Sequence, residues 1–115
     1  MDIDLAARQL QALGNPTRLR IYRTLVRAGH GGLPVAQVQA RLGLPGSTLS
    51  HHLKALMQQG LIRQERQGTT LNCHAEYPAM TALLGFLGDE CCADAPGTEG
   101  PCAAAAAPTP PKRPR

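Results

Sequence analysis

The sequence contains no tryptophan, a single phenylalanine and two tyrosines. A protein that grips nucleic acid by stacking bases on aromatic side chains is therefore not expected. No apolar run approaches the roughly 20 residues of a membrane span, and the start, Met1-Asp2-Ile3-Asp4, lacks the basic-then-apolar profile of a signal peptide. The chain is thus expected in the cytosol, where its four cysteines would be thiols rather than disulfides. Acid is also scarce in the centre. Between Arg8 and Arg66 nine bases stand against Glu65 alone, a segment charge of +8, although the net charge of the 115 residues is only +4. A basic body between acidic flanks suits a polyanion. Catalytic signatures are missing too: Gly29-His30-Gly31-Gly32 lacks the Lys-Ser/Thr ending of a phosphate loop, and Cys73-His74 are neighbours without an orienting partner, so no enzyme is expected.

A chain of this length has room for one core, built from Leu, Ile, Val, Ala and Met. Leu5, Ala6, Leu10 and Leu13 keep helical spacing, and Gly14-Asn15-Pro16 breaks and restarts the pattern, with Pro16 suited to a first helical position. Leu19, Tyr22, Leu25 and Val26 predict a second helix ending near Gly29, followed by a loop at His30-Gly31-Gly32. Pro34 opens a short third helix through Val35, Val38 and Leu42. After Gly43-Leu44-Pro45-Gly46 a fourth begins at Ser47, a good N-cap, with Leu49, Leu53 and Leu56 on one stripe. Two helices so joined outline a helix-turn-helix. From Ile62 to Ala75 the pattern becomes a β-hairpin turning near Gly68. Pro78 starts a last helix with Met80, Leu83, Leu84 and Leu87 on one stripe, weakened by Gly85 and Gly88 and so in need of a partner surface.

The fold class predicted is mainly α with a β-hairpin wing, a winged helix-turn-helix over residues 1–92. Residues 93–115 form a Pro/Ala-rich tail that cannot bury enough surface to order itself. With the leucine stripe of the fourth helix turned inward, Ser47, Ser50, His51, Lys54 and Gln58 fall on the far half. His51 and Gln58 can address base edges, Ser47, Thr48 and Ser50 phosphates and nearby bases, and Lys54 a phosphate, while Arg63 and Arg66 would sit on the wing. His51 and His52 point about 100° apart, a poor geometry for chelating one metal. His52 is expected to be packed or to face a dimer partner.

Ser47-Thr48-Leu49-Ser50-His51-His52-Leu53-Lys54-Ala55-Leu56, then Gly60-Leu61-Ile62 and Arg66-Gln67-Gly68, resemble the ArsR/SmtB metalloregulatory repressors of bacteria, as does Ala12-Leu13-Gly14-Asn15-Pro16-Thr17-Arg18-Leu19. The likeness covers about residues 1 to 92. It implies a homodimer paired through its first and last helices, two recognition helices in successive major grooves of double-stranded operator DNA, and release of the operator when a ligand binds. The half-site spacing would be about 34–36 Å.

Cysteines decide which inducer the resemblance implies. The third helix carries none, so the family's Cys-Val-Cys arsenic site is absent; Tyr77 to Cys92 contains no histidine, so its last-helix zinc site is absent too. Cys91-Cys92 at the end of the last helix, with Cys102 in the tail, resemble arsenic-responsive members whose site lies at that helix end, although there the third cysteine comes sooner. Trivalent arsenic and antimony are soft and favour three thiolates. A frayed helix end can bring adjacent thiols together, and the segment leading to Cys102 closes the triad at an entropic cost rising slowly with length. The inducer expected is As(III), with Sb(III) or methylated arsenicals as variants, and no cofactor is required. Cys73 is read as structural, although pairing with Cys91 or Cys102 would make a dithiol redox sensor. Two alternatives stand beside this reading: a thiol-redox or persulfide-sensing repressor of the same fold, and a small metalloid-binding or adapter protein without an operator.

Overall fold

A computed structural model describes residues 1–96. The tail reading and Cys102 lie outside these described residues. The element order is α1 (Ile3–Leu13), α2 (Pro16–Ala28), β1 (Leu33–Pro34), α3 (Val35–Leu42), α4 (Gly46–Gln58), β2 (Ile62–Gln67), β3 (Thr70–Ala75) and α5 (Tyr77–Gly88). This is the winged helix-turn-helix predicted, with one element more: β1 pairs antiparallel with β3, so the wing is the edge of a three-stranded sheet ordered β1-β3-β2. Sequence periodicity could not reveal a two-residue strand. Pro34, expected to open the third helix, instead closes β1 and stands at the N-cap of α3.

Local chemistry sets the helix ends. The Asp2 carboxylate accepts from the Leu5 amide at 2.7 Å, and the Asn15 side chain accepts from the Arg18 amide at 3.1 Å, each satisfying an amide that the first helical turn leaves open. The fourth helix starts one residue earlier than expected. Pro45 is its N-cap and offers no side-chain acceptor, so Ser47 is not a cap and lies exposed in the first turn. Gly68, with φ 64°, fills the first position of a two-residue hairpin loop between Gln67 and Thr70, where a positive φ matches the twist of the strands.

The core gathers Ile21 and Leu25 of α2, Val38 of α3, Leu49, Leu53 and Leu56 of α4, and Leu61, Ile62 and Cys73 around the sheet. On α2 the buried face differs from the predicted stripe: Ile21 is fully buried whereas Leu19 is 43% exposed. Leu19, Ile21, Tyr22, Leu25 and Val26 permit either phase, and packing into the shared core selects Ile21. On α1, Gln9 is buried between Ala6 and Ala12, and its amide donates to the Gln59 carbonyl at 2.8 Å, tying α1 to the end of α4.

Candidate nucleic-acid interface and cysteine turn

The leucine stripe seats α4 on the core and leaves its opposite face in solvent. Ser47, Ser50, His51, Lys54 and Gln58 are exposed there and Thr48 is half-buried, so six of the eight side chains predicted to meet DNA share one helix. They can offer hydroxyl, imidazole, amide and ammonium groups to base edges and phosphates. His52 turns away, as expected, and packs: the Arg18 guanidinium donates from Nε to His52 Nδ1 at 3.1 Å. Desolvation, then the charge of Arg18 and then of His51, holds the His52 imidazole below its usual pKa, so it serves as a neutral acceptor. This clasp orients the recognition helix against α2.

The two wing arginines lie on opposite faces of β2. Arg63 is 3.5 Å from Glu65 and 3.4 Å from Glu76, and it is thus bound into the wing's own charge network. Arg66 is exposed on the other face, beside Thr69 and Thr70 at the tip and Val35 at the start of α3. Asn72 and His74 are buried polar residues that sequence reasoning missed. Asn72 donates to the Gln67 side chain at 2.7 Å. His74 Nδ1 lies 3.1 Å from the His30 carbonyl oxygen, and Nε2 lies 3.1 Å from Glu65 Oε1. Above them Gly32 adopts φ 71°, and a Cβ there would fall 2.4 Å from the Cys73 carbonyl oxygen. The wing is therefore fastened to the loop between α2 and β1.

The cysteines separate into two environments. Cys73 is fully buried in β3, where the Gln64 amide donates to its sulfur at 3.5 Å. Burial pushes its thiol upward against the smaller opposing effect of Gln64, which disfavours the thiolate that a soft ion needs. Cys91 and Cys92 lie beyond α5, which ends at Gly88 with Asp89 as its extended C-cap, and not on the helix end itself. Glu90 and Cys92 adopt φ 62° and 58°, and these turns bring the two sulfur atoms to 3.8 Å. Cys92 is disulfide-bonded, which departs from the four thiols expected from the sequence. Among the described residues, no group of three or more His, Cys, Asp or Glu is placed to hold a metal ion.

An apolar cavity of about 360 Å³ opens between α2 and α5, lined by Leu13, Leu19, Tyr22, Val26, Met80 and Leu83, among others. Beside it Leu84 and Leu87 of the predicted last-helix stripe are 61% and 56% exposed; only Leu83 is buried. On α1, Ile3 and Leu10 are exposed as well. No helix among the described residues is long and apolar enough to cross a membrane.

Known proteins share this arrangement. Residues 13–65 match the helix-turn-helix domain family. The nodulation protein NolR of Rhizobium meliloti is 34% identical over 88 residues, covering 76% of this chain and 70% of that protein. The transcriptional repressor PagR of Bacillus anthracis is 30% identical over 87 residues, covering 76% and 85%. Among solved structures, the homodimeric winged helix-turn-helix DNA-binding domain of Mb0332 from Mycobacterium bovis, a possible ArsR-family transcriptional regulator, superposes with a TM-score of 0.60 at 30% identity, covering 76% of this chain and 82% of that one.

Proposed function

The chain belongs to the ArsR family of winged helix-turn-helix transcriptional regulators, and from that premise we propose that it is a homodimeric repressor released from its operator when trivalent arsenic binds Cys91, Cys92 and Cys102. The observation that carries the inducer reading is the 3.8 Å approach of the Cys91 and Cys92 sulfurs in the turn after α5. A soft trivalent ion takes thiolates in a pyramid, and two adjacent sulfurs on one side of a turn would supply two of its corners once the Cys92 disulfide is reduced. Cys102 is the third donor in this reading. A methylated arsenical, with fewer open positions, would need Cys91 and Cys92 alone, and Sb(III) follows the same donor preference.

Dimerisation fits the exposed leucines of α5 and the apolar cavity beside them, because exposed apolar surface of this kind marks an interaction face. Ion capture immediately after α5 would then act on the helix that pairs the subunits, altering the separation of the two α4 helices. Coupling is reciprocal: operator DNA must weaken arsenic binding by the same factor. The test is an As(III) titration of the reduced protein–operator complex, followed by fluorescence anisotropy. Release of DNA by wild type and its loss in Cys91→Ser/Cys92→Ser are expected. Unchanged operator affinity with As(III), or normal release from the double variant, would refute the inducer assignment.

A second reading has its own observation. Because Cys92 is disulfide-bonded, a thiol oxidant or persulfide is an alternative effector, with reversible disulfide formation as the switch. Operator affinity of the oxidised and reduced proteins, with mass spectrometry of the bridge, separates the two. A redox switch changes affinity without metalloid; an arsenic sensor binds DNA equally in both thiol states until As(III) is added to the reduced form.

A further inference from the structure

The outer side of α2 carries Arg20, Arg23 and Arg27 at i, i+3 and i+7, and Arg41 stands in the last turn of α3. All four are exposed. They surround two abutting concavities of about 200 and 290 Å³ that share Thr24, Arg27 and Leu42 in their walls. The Thr24 hydroxyl is turned back onto the Arg20 carbonyl at 2.8 Å and so braces the floor. Among the described residues, the arginine within ion-pair distance of carboxylates is Arg63, at Glu65 and Glu76, so no carboxylate neutralises this cluster. Like charges four apart on a helix repel. The helix dipole favours Arg27 and Arg41, each in a last turn, but gives no such support to Arg20 and Arg23.

We propose that this arginine face of α2 and α3 is a second contact surface for DNA, gripping the phosphate backbone beyond the base pairs that α4 reads. Its position supports that choice. The Gln39 side chain lies beside Gly46, where an added Cβ would be in ordinary contact at 3.7 Å, so the C-terminal half of α3 adjoins the start of α4. Arg41, in the last turn of α3, stands five residues before α4 begins. Arginine forks match phosphate oxygens two at a time. An acidic protein would be held by a buried aromatic or aliphatic anchor, and Leu42 is the one large apolar side chain in these walls. The surface is separate from the apolar cavity at Arg20 and Arg41, which line only the concavities.

The proposal rests on operator binding by α4, and the experiment distinguishes the two. Wild type selects a duplex from a random-sequence pool, and its affinity is measured against salt concentration for that duplex and for one trimmed to the α4 half-sites. Arg20→Gln/Arg41→Gln is compared. Each phosphate contact contributes about 0.9 to the salt slope, and each substitution counts twice in a dimer, so the slope on the long duplex should flatten by about 2 to 4. The ratio of affinities for the selected and a scrambled sequence should not change, and on the trimmed duplex wild type and variant should coincide. An unchanged slope on the long duplex, or an equal loss on the trimmed one, overturns the arginine surface while leaving α4 recognition intact. Failure of wild type to select any duplex overturns both.

Discussion

Replacing Gly32 by alanine tests how the wing is fastened. The residue has φ 71°, and an added Cβ would meet the Cys73 carbonyl oxygen at 2.4 Å and the His74 ring at 2.6 Å. The left-handed backbone costs an alanine about 1–2 kcal/mol. The contact cannot be relieved by a side-chain rotation, since the nearest atom is the backbone of β3, the central strand of the sheet. Forcing that strand aside resembles overpacking a core, about 1–3 kcal/mol more. The sum, about 2–5 kcal/mol, is a large part of the about 5–15 kcal/mol that stabilises a typical domain. At roughly 4–8 °C per kcal/mol for a domain of this size, the melting temperature should fall by about 10 °C or more. Gly68→Ala is the control: its φ is 64°, but nothing lies within 4 Å of the added atom, so only the backbone cost applies. Thermal melts followed by circular dichroism, at one protein concentration so that association does not shift the midpoints, give the comparison. If Gly32→Ala loses no more stability than Gly68→Ala, the close packing of the α2–β1 loop on the wing is wrong.

Two further outcomes follow from other contacts. His52 has its folded pKa depressed below 6.5 by desolvation and by Arg18, so its neutral form contributes stability fully above about pH 6.5, and that contribution is lost as pH falls through the lower folded value. His52→Gln keeps an acceptor for Arg18 and removes the titration, so urea midpoints measured between pH 7 and pH 5 should depend less on pH than those of wild type; equal dependence would show that His52 is not the titrating group. Leu84, 61% exposed beside the apolar cavity, should cover a partner's α5 in the dimer. Leu84→Glu would place a carboxylate in that contact, and light scattering should report a monomer with unchanged helical content, whereas a dimer of wild-type stability would place the subunit contact elsewhere.

How much of this was legible in the sequence depends on which interaction decided each element. Leu49, Leu53 and Leu56 recur at helical spacing and all three are buried, so the face of α4 turned to solvent follows directly from the pattern. The hairpin was also legible, because Gly68 marks a turn between two segments, Ile62–Gln67 and Thr70–Ala75, that lack the helical period. Strand β1 was not, since two residues carry no period and their pairing with Asn72 and Cys73 is made across the fold. The inward phase of α2 was ambiguous for the same reason: five apolar residues fit either phase, and only contact with other elements chooses Ile21. At Ser47 a strong capping preference gave way to a helix that begins one residue earlier. The polar network of Arg63, Glu65, His74 and Glu76 joins residues on two strands and their flank, so it becomes visible only once the register is known. Cys91 and Cys92 were recognisable as a pair, but their meeting depends on positive φ at Glu90 and Cys92, which neither residue type favours.

The uncapped start of α4 has a consequence in time as well as in space. Pro45 supplies a backbone carbonyl to Leu49 but no side-chain acceptor, leaving the amides of residues 46–48 to water when the protein is alone. Such a missing cap costs a helix about 1 kcal/mol, so the first turn should open more often than the leucine-anchored turns behind it. Its amides should exchange with solvent deuterium early and slow markedly once phosphate accepts from them. Search along DNA would then be made with a partly frayed reading head, and arrival at the operator would register as the tightening of that single turn.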